Sequence, residues 1–279
     1  MLKFSLILAT IGRDAEVEAF LDSLSRQTYR NFELIVVDQN ADDRVSVLVD
    51  RFADYFPVRR VSSKLGLSVA RNRGIALIDG DIVAFPDDDC WYPPELLARA
   101  AEYFTRSDVD VIAGQSRDEQ NRHSQRAWPS KPQLADKVSI WKLAISYTVF
   151  MRAECVEVVG GFDETLGVGA ATAWQSGEET DYLIRAIDRG YAVRYLPGLK
   201  VFHPEKTGVF DARTIERAKS YGAGLGRVLK KHHYPLWFVA YMLLRPLGGA
   251  LFALLTLRVN KALYHFGVLQ GRVKGWGAA

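Results

Sequence analysis

The chain has 279 residues, of which 48% are hydrophobic and 25% are charged, the proportions of an ordinary globular protein. Its two cysteines, Cys90 and Cys155, lie 65 positions apart, which excludes a metal-ligand spacing and indicates free thiols in a reducing compartment. The net charge is +3, but residues 203–279 carry 12 Lys or Arg against 3 Asp or Glu, which leaves a net charge of −6 on residues 1–202. This distribution predicts an acidic catalytic or ligand-binding body and a basic tail that faces anionic partners.

In residues 1–115, apolar runs of strand length alternate with segments of helix length. The opening MLKFSLILAT predicts a first strand rather than a signal peptide, because it has one Lys and no small-residue cleavage site. FELIVVD predicts a second strand, and the segment between the two has apolar residues at helical spacing. Near-continuous apolar strands separated by helices are typical of a parallel sheet covered on both faces. In such sheets, ligands lie at the carboxyl ends of the strands.

Residues 116–205 have a less regular pattern. A polar stretch is followed by strand and helix signals and then by the Gly/Ala-rich loop GVGAATAWQS. After this loop, GEETDYLIRAIDRG predicts an amphipathic helix with acids in its first turn, where the helix dipole favours them. We predict one domain over residues 1–205 and a separate helical tail over residues 206–279.

The tail contains a 23-residue apolar stretch, 235–257, in which Arg245 is the only charge. Its length matches a bilayer span, and cations on either side suit lipid phosphates. The prediction of a straight transmembrane helix is weakened by a charge, a proline and two glycines in the middle of the stretch: Arg245, Pro246 and Gly248–Gly249. The alternatives are two short helices in the membrane interface, a re-entrant hairpin, or a buried helix of the globular body. We predict binding to an anionic membrane surface and no nucleic-acid binding, because the cations alternate with apolar residues. The flanking cations are Lys230, Lys231, Arg258 and Lys261.

Three adjacent carboxylates, Asp87, Asp88 and Asp89, follow an apolar run in FPDDDCWYPP. Like charges this close repel one another, so their position at the end of a predicted strand indicates a nearby cation. Asp87 and Asp89 are alternate residues that share a face in extended geometry, and two such carboxylates suit Mg²⁺ or Mn²⁺. The alternative is an acidic turn in which an aspartate caps the following helix.

An ordered set of short motifs within residues 3–205 resembles the family 2 glycosyltransferases, which have the GT-A fold. Each motif alone is weak, and their order along the chain carries the resemblance. It implies an α/β fold with a mixed, mainly parallel sheet flanked by helices, divided into a nucleotide-binding half (1–115) and an acceptor-binding half (116–205). The motifs are ATxGR (9–13), VVD (36–38), GLSxARNxG (66–74), FPDDD (85–89), GGFDE (160–164) and GEETD (177–181).

The resemblance also implies roles for residues on the donor side. Asp38 would hydrogen-bond the nucleotide base, or else form an Asx turn. Asp87 would contact ribose or metal, and Asp89 would bind an Mn²⁺ or Mg²⁺ that neutralises the leaving diphosphate. His203 matches the position of a metal-ligating histidine, with a structural role as the alternative. Arg71 would lie against the base or diphosphate, or be a solvated arginine on a helix face. The other residues predicted to bind the nucleotide sugar are Thr10, Arg13, Gly66 and Asp88.

The same resemblance implies a general base at the start of the later helix, where this chain has Glu178 and Glu179 in place of the usual Glu–Asp pair. Glu179 occupies the usual Asp position, and its extra methylene moves the carboxylate by roughly 1–1.5 Å. We favour Glu179 as the base over Glu178; the alternative is that these acids only complement the helix dipole. Trp174 is predicted on the acceptor side as a stacking surface for a sugar, and Asp181 there as a cap or support.

Together these features predict an inverting, metal-dependent glycosyltransferase that moves a sugar from a UDP-, GDP- or TDP-linked donor to a hydroxyl acceptor. The basic, apolar tail indicates a lipid-linked saccharide acceptor at the cytoplasmic face of the plasma membrane, with the protein peripheral or monotopic. The alternative is a non-catalytic, membrane-associated nucleotide-sugar-binding protein on the same fold. A sugar-phosphate nucleotidyltransferase is disfavoured because its G-x-G-x-R loop is missing after the first strand.

Overall fold

The computed structural model of the protein describes residues 1–107, 109–205 and 208–278. The chain forms two compact units: the first consists of Met1–Leu65, Val69–Phe162 and Tyr182–Glu205, and the second of Gly66–Ser68, Asp163–Asp181 and Lys206–Ala279. The strands are β1 (Phe4–Thr10), β2 (Phe32–Asp38), β3 (Val58–Ser62), β4 (Ile82–Ala84), β5 (Val111–Arg117), β6 (Gln133–Leu134), β7 (Val149–Arg152) and β8 (Val193–Phe202). The α-helices are α1 (Ala15–Ser25), α2 (Arg44–Phe52), α3 (Leu67–Ile75), α4 (Leu96–Arg106), α5 (Ile140–Leu143), α6 (Ala153–Val159), α7 (Glu178–Asp188), α8 (Ala212–Lys231), α9 (Leu236–Leu255) and α10 (Val259–Gly277).

These strands lie in the first unit and form one sheet in the order β3-β2-β1-β4-β7-β5-β8-β6. β1 pairs in parallel with β2 and β4, β2 with β3, and β5 with β8. β7 runs antiparallel between β4 and β5, and β6 runs antiparallel to β8. The predicted α/β fold with a mixed, mainly parallel sheet is therefore confirmed.

The central strands β1 and β2 are buried on both faces, as their apolar sequences require. Every residue of β1 and of β2 is buried. Successive side chains of β1 point to opposite faces: Leu6 joins a core cluster with Phe20 of α1, whereas Ile7 packs against Gly74 of α3. The polar groups that β1 and β2 can offer to a ligand therefore lie at the ends of these strands.

In the second unit, α8 and α10 pack against each other through glycines. A Cβ built on Gly226 of α8 would overlap the carbonyl of Arg272, and one built on Gly271 of α10 would overlap the carbonyl of Lys219. The two helix backbones therefore approach too closely for a side chain at either position.

The apolar stretch of the tail forms one continuous helix, α9, so the alternatives of two short helices and of a re-entrant hairpin within it are wrong. Pro246 lies inside α9 and lacks the N–H that would bind the carbonyl of Met242, four residues earlier. The guanidinium of Arg272 donates a hydrogen bond to that carbonyl instead, so the helix continues past the proline. α9 is long and apolar enough to cross a membrane, and only 33% of its most apolar part is buried, unlike a core helix.

Replacing Gly271 with alanine should destabilise the protein, because the added methyl would overlap backbone atoms of α8 that cannot move aside. Overpacking of this kind costs about 1–3 kcal/mol of the free energy of unfolding. Gly248→Ala is the matched control, since Gly248 is also helical and has nothing within 4 Å of its Cβ position. Alanine there should stabilise by about 0.5–1 kcal/mol. Urea unfolding followed by circular dichroism measures both changes, and equal destabilisation by the two variants would contradict the glycine contact.

Candidate active site

The chain beyond β4 is held next to the carboxyl ends of β1 and β8. Asp87 forms a parallel bridge with Ala9 of β1. Trp91 and Phe202 exchange backbone hydrogen bonds of 2.9 and 3.0 Å, and their rings stack with centroids 5.6 Å apart. These pairings fix the turn that carries the three aspartates beside His203, the residue that follows β8.

Asp87, Asp89 and His203 are brought together as the metal prediction requires. One oxygen from each carboxylate and one imidazole nitrogen all lie within 4.8 Å of one another. Nε2 of His203 is 3.0 Å from Oδ1 of Asp89. Two carboxylates and an imidazole are a donor set that suits Mn²⁺, and three protein ligands leave positions for further oxygens. The residues present therefore fit a divalent cation.

Three contacts fix the imidazole of His203. Its ring stacks on Tyr147 with centroids 5.0 Å apart, and its backbone N–H donates to the carbonyl of Arg117 at 2.8 Å. Nδ1 lies 2.8 Å from the carbonyl oxygen of Pro204, which assigns the Nδ1 hydrogen to that bond and leaves Nε2 facing Asp89. Burial alone would lower the pKa of His203, but the hydrogen bond and charge of Asp89 raise it above its usual value.

Arg13 and Thr10 bind the middle aspartate. Nη1 of Arg13 lies 2.7 Å from Oδ1 of Asp88 and 2.7 Å from Oδ2 of Asp89, and the hydroxyl of Thr10 donates to Asp88 at 2.7 Å. Burial raises the pKa of Asp88 to about 6, although Arg13 and Thr10 act in the opposite direction. Burial would also raise the pKa of Asp89, but His203 and Arg13 together hold it below its usual value.

Arg71 is almost completely buried, at 1% exposure, so the alternative of a solvated arginine on a helix face is wrong. Its Nη2 lies 3.2 Å from Oδ1 of Asp87, and its guanidinium lies over the ring of Phe162, 5.3 Å from the centroid. The side chain of Asn72 donates to the carbonyl of Phe162 at 3.0 Å and accepts from its N–H at 2.6 Å. α3 thereby holds Arg71 against the first of the three aspartates.

Asp38, at the end of β2, has a carboxylate bound by neighbouring groups. Oδ1 accepts hydrogen bonds from the backbone and side-chain nitrogens of Asn40 at 2.9 and 2.8 Å, which forms the Asx turn named as the alternative. Oδ2 accepts from Arg60 at 2.8 Å. Contact between Asp38 and a nucleotide base stays a prediction.

In the second unit, the loop before α7 is held by its own polar groups. The side chain of Gln175 accepts from the N–H of Gly169 at 2.9 Å and donates to two other loop carbonyls at 2.9 and 2.6 Å. Gly66 has a φ of +121° and lies against Gly169, so glycine suits both its backbone conformation and this close approach. Trp174 is half-buried on the same loop, and its predicted contact with an acceptor sugar stays a prediction.

Glu178 and Glu179 begin α7 in different environments. Glu178 is 5% exposed, and a Cβ built on Gly167 would lie 3.1 Å from its Cδ and 3.1 Å from Oγ of Ser68. Glu179 is half-buried. Because a general base must reach the proton that it removes, the more accessible Glu179 is the better candidate of the two.

Asp181 is completely buried, at 0% exposure, and is held by residues at the end of α8. Nζ of Lys231 and Nε2 of His232 lie 2.7 and 2.8 Å from its Oδ1. Lys231 also lies 2.6 Å from Oδ2 of Asp163. These contacts favour a supporting role for Asp181 over direct contact with an acceptor. The prediction that Lys231 binds lipid phosphates is wrong, because its ammonium is paired with the carboxylates of Asp163 and Asp181.

Some residues of the site carry no sequence signal that would have identified them. Tyr147, which stacks on His203, and Gln125, whose Nε2 lies 3.3 Å from Nδ1 of His203, come from distant segments. Glu205, two positions after His203, accepts from the N–H of Gln125 at 3.0 Å. Only Glu205 could have been noticed from local spacing, whereas the other two are brought in by tertiary structure.

Two solved structures resemble this fold. The mannosyltransferase PcManGT from Pyrobaculum calidifontis, in complex with GDP-Man and Mn²⁺, has a TM-score of 0.65 at 18% identity and covers 98% of this chain and 87% of that chain. TarS 1–349 from S. aureus, in complex with UDP-GlcNAc, has a TM-score of 0.65 at 16% identity, and the match covers 96% of this chain and 90% of that chain. At these identities the likeness shows the fold alone, and it confirms the predicted GT-A fold.

A model of glycosyl transferase family 2 matches residues 5–160, more than half of the chain. Glycosyltransferase AglE of Haloferax volcanii is 27% identical over 215 residues, covering 74% of this chain and 68% of the relative. The chain belongs to glycosyl transferase family 2, as its ordered motifs predict, and it is a glycosyltransferase.

Replacing Lys231 with methionine should destabilise the second unit, because it removes the cation shared by Asp163 and Asp181. Removing one partner from a buried pair costs about 3–5 kcal/mol, and we expect about 3 because Lys231 is 31% exposed. The neighbouring Lys230→Met is the control: Lys230 is exposed, so the change should be within about 0.5 kcal/mol of zero. Denaturant unfolding measures both, and a neutral Lys231→Met would show that the two carboxylates do not depend on this ammonium.

Proposed function

We propose that the protein is an inverting, metal-dependent glycosyltransferase that takes a sugar from a nucleoside-diphosphate donor to a hydroxyl acceptor. The observation that carries this proposal is the cluster of Asp87, Asp89 and His203 next to the carboxyl ends of β1 and β8. Ligands of open α/β sheets bind at this edge. The GDP-Man and Mn²⁺ bound to PcManGT, and the UDP-GlcNAc bound to TarS, support a nucleotide sugar as the donor.

Asp87, Asp89 and His203 would hold the metal, which is Mn²⁺ or Mg²⁺. When bound, such an ion supplies positive charge to the diphosphate as it leaves. The chain holds His203 ready for this task through the Nδ1 bond to Pro204, since that bond leaves Nε2 toward the carboxylates.

The donor's remaining contacts come from the same edge of the sheet. Arg71 is held at Asp87, and Arg13 is held at Asp88 and Asp89, so both guanidiniums lie beside the acidic turn and can interact with phosphate oxygens. Asp38 would accept from the nucleotide base. The base is uracil, guanine or thymine, each of which has a ring N–H from which a carboxylate can accept a hydrogen bond.

Glu179 acts as the general base in this proposal. The acceptor hydroxyl gives its proton to the Glu179 carboxylate, and the acceptor oxygen forms a bond to the anomeric carbon of the donor. The bond from that carbon to the diphosphate oxygen breaks, and its electron pair leaves with the diphosphate. Attack on the face opposite the leaving group inverts the anomeric centre. The accessibility of Glu179 compared with the buried Glu178 supports this assignment.

The acceptor is a lipid-linked saccharide in this proposal, and the enzyme works at the cytoplasmic face of the plasma membrane as a peripheral or monotopic protein. The basic tail, with no acidic residue after Glu216, and the apolar helix α9 support a membrane-held acceptor.

A thermal-shift panel of UDP, GDP, TDP and CMP, each with and without Mn²⁺, tests the donor and metal assignments together. One diphosphate at a hundred times its dissociation constant should stabilise the folded protein by about 2.7 kcal/mol, and only with Mn²⁺. Asp89→Asn should remove the metal-dependent part of this stabilisation. Asp42→Asn is the control and should retain it, because Asp42 is an exposed carboxylate paired with Arg44.

Two outcomes of this panel would count against the proposal. Equal stabilisation with and without Mn²⁺ would argue against a metal site at Asp87, Asp89 and His203. A lack of stabilisation by every nucleotide would argue against a nucleoside-diphosphate donor.

Glu179→Gln should lower the rate of sugar transfer by about 10²–10⁴-fold, because glutamine cannot accept the proton of the acceptor. Donor binding in the thermal-shift panel should be unchanged. Glu178→Gln is the matched control and should retain most of the transfer. The assay follows radiolabelled sugar from the donor into the organic-solvent extract of a membrane preparation. Full activity in both variants would mean that the base is another residue.

A further inference from the structure

One face of α9 is apolar and exposed, whereas the opposite face is buried against other residues of the second unit. The buried positions include Phe238, Met242 and Ala250. The exposed positions follow helical spacing, and their side chains are between 37% and 83% exposed. We call them the outer face of α9; they are Trp237, Tyr241, Leu244, Leu251, Phe252 and Leu255.

Arg245 is an exposed cation halfway along α9, at the edge of this outer face. Its guanidinium lies over the ring of Tyr241, 5.7 Å from the centroid. α9 runs from Leu236 to Leu255, so Arg245 is at its midpoint. In a helix that crosses a bilayer, this position is the membrane centre, where an arginine is strongly disfavoured. In a helix that lies along the interface, an arginine at the edge of the apolar face reaches the lipid phosphates while its stem stays among apolar groups.

The backbone of α9 is suited to a lipid environment in spite of its proline. Pro246 frees the carbonyl of Met242, and Arg272 of α10 donates a hydrogen bond to it. A free carbonyl would be costly near the acyl chains, where water is scarce. The second unit therefore satisfies, on the buried face of α9, the backbone acceptor that Pro246 leaves without its helical partner.

A concavity of about 580 Å³ lies at the turn between α9 and α10. Arg258 and Lys261 line it, together with Phe210 and three other residues. Leu255 and Leu257, which are 83% and 88% exposed, adjoin it along the chain. Two cations beside two exposed leucines match the chemistry of a phospholipid, which joins a phosphate to an acyl chain.

We propose that α9 lies in the plane of one leaflet of an anionic bilayer, with its outer face among the acyl chains and with Arg245, Arg258 and Lys261 at the lipid phosphates. This deepens the membrane partner of the proposed function, and its test does not depend on the donor or on catalysis. Charge complementarity selects an anionic bilayer over a second copy of the chain. A dimer through this face would bring Arg245 of both copies together, and α9 and α10 contain no acidic residue to pair with them.

Depth measurements on the full-length protein distinguish a helix that lies in the interface from one that crosses the bilayer. Nitroxide labels are attached to cysteines introduced at Trp237, Leu244 and Leu255, one variant at a time. The native Cys90 and Cys155 are 1% and 0% exposed and should not react. With vesicles of phosphatidylcholine and phosphatidylglycerol, power saturation with oxygen and a nickel chelate should place all three labels at similar, shallow depths.

A crossing helix gives a different result. A helix of 20 residues is about 30 Å long, so the label at Leu244 would lie more than about 10 Å deeper than those at the ends. That result would overturn the proposal. Labels that are protected without vesicles, in a protein that sediments as a dimer, would overturn it in favour of a second copy. Val47→Cys, at a 64% exposed position of α2, is the control label and should stay in water.

Vesicle co-sedimentation tests the charged contacts. Arg245→Gln should weaken binding to the phosphatidylglycerol vesicles about fivefold, which corresponds to about 1 kcal/mol for one cation at an anionic surface. Arg106→Gln is the matched control and should bind like the wild type, because Arg106 is 77% exposed in the first unit, on α4. Leu244→Asp should abolish binding by placing a carboxylate on the outer face. Unchanged binding by Leu244→Asp and Arg245→Gln would overturn the proposal.

The thermal-shift response to nucleoside diphosphate and Mn²⁺ separates this inference from the proposed function. The Leu244→Asp variant should keep that response although it no longer binds the vesicles. If the vesicle results hold and no nucleotide stabilises the wild type, the proposed donor fails and the membrane contact stands.

Discussion

The repulsion among three adjacent carboxylates is the constraint on which the organisation of the first unit depends. Asp87 lies beside Arg71, Asp88 beside Arg13, and Asp89 beside both Arg13 and His203. Arg13 follows β1, Arg71 lies on α3 and His203 follows β8, so balancing the acids requires three distant segments to meet. The folded chain thus tolerates the aspartates with its own cations. A metal held by Asp87, Asp89 and His203, as proposed above, would add to a charge balance that already exists, and it would compete with Arg71 for an oxygen of Asp87.

The second unit has a corresponding constraint in its buried carboxylate. Asp181 lies in the first turn of α7, two positions after the proposed base, and its charge is balanced by Lys231 and His232 at the end of α8. The loop that precedes α7 is also tied to α8, since the hydroxyl of Ser176 donates to the carbonyl of Tyr221 at 2.6 Å. The tail helices therefore have a structural role in the second unit, because α8 holds the segment that carries Glu179.

The sequence predicted the features that depend on local pattern. Apolar periodicity predicted the strands of the mainly parallel sheet, and the ordered motifs identified the family. The run of aspartates indicated Asp87 and Asp89, and the family resemblance added His203; the structure places the three together. Features that depend on tertiary contact were not predictable in this way. Lys231 is one of several cations in a basic tail, and no pattern distinguishes it from Lys230, although only Lys231 is committed to two carboxylates. From its position in the helical pattern, Arg71 could equally have been a solvated arginine. Its contact with the ring of Phe162, which is distant in the sequence, forms only in the folded chain.

The glycine contact between α8 and α10 has a consequence for the surface of the second unit. Glycine has no side-chain rotamers to lose, so the two backbones meet without the entropy loss of ordering side chains. Bulky apolar residues then lie outside the contact between the two helices: Leu263 and Val273 of α10 are 48% and 50% exposed. The described helices of the second unit therefore present apolar side chains on their surface, whereas β1 and β2 of the first unit are buried along their whole length.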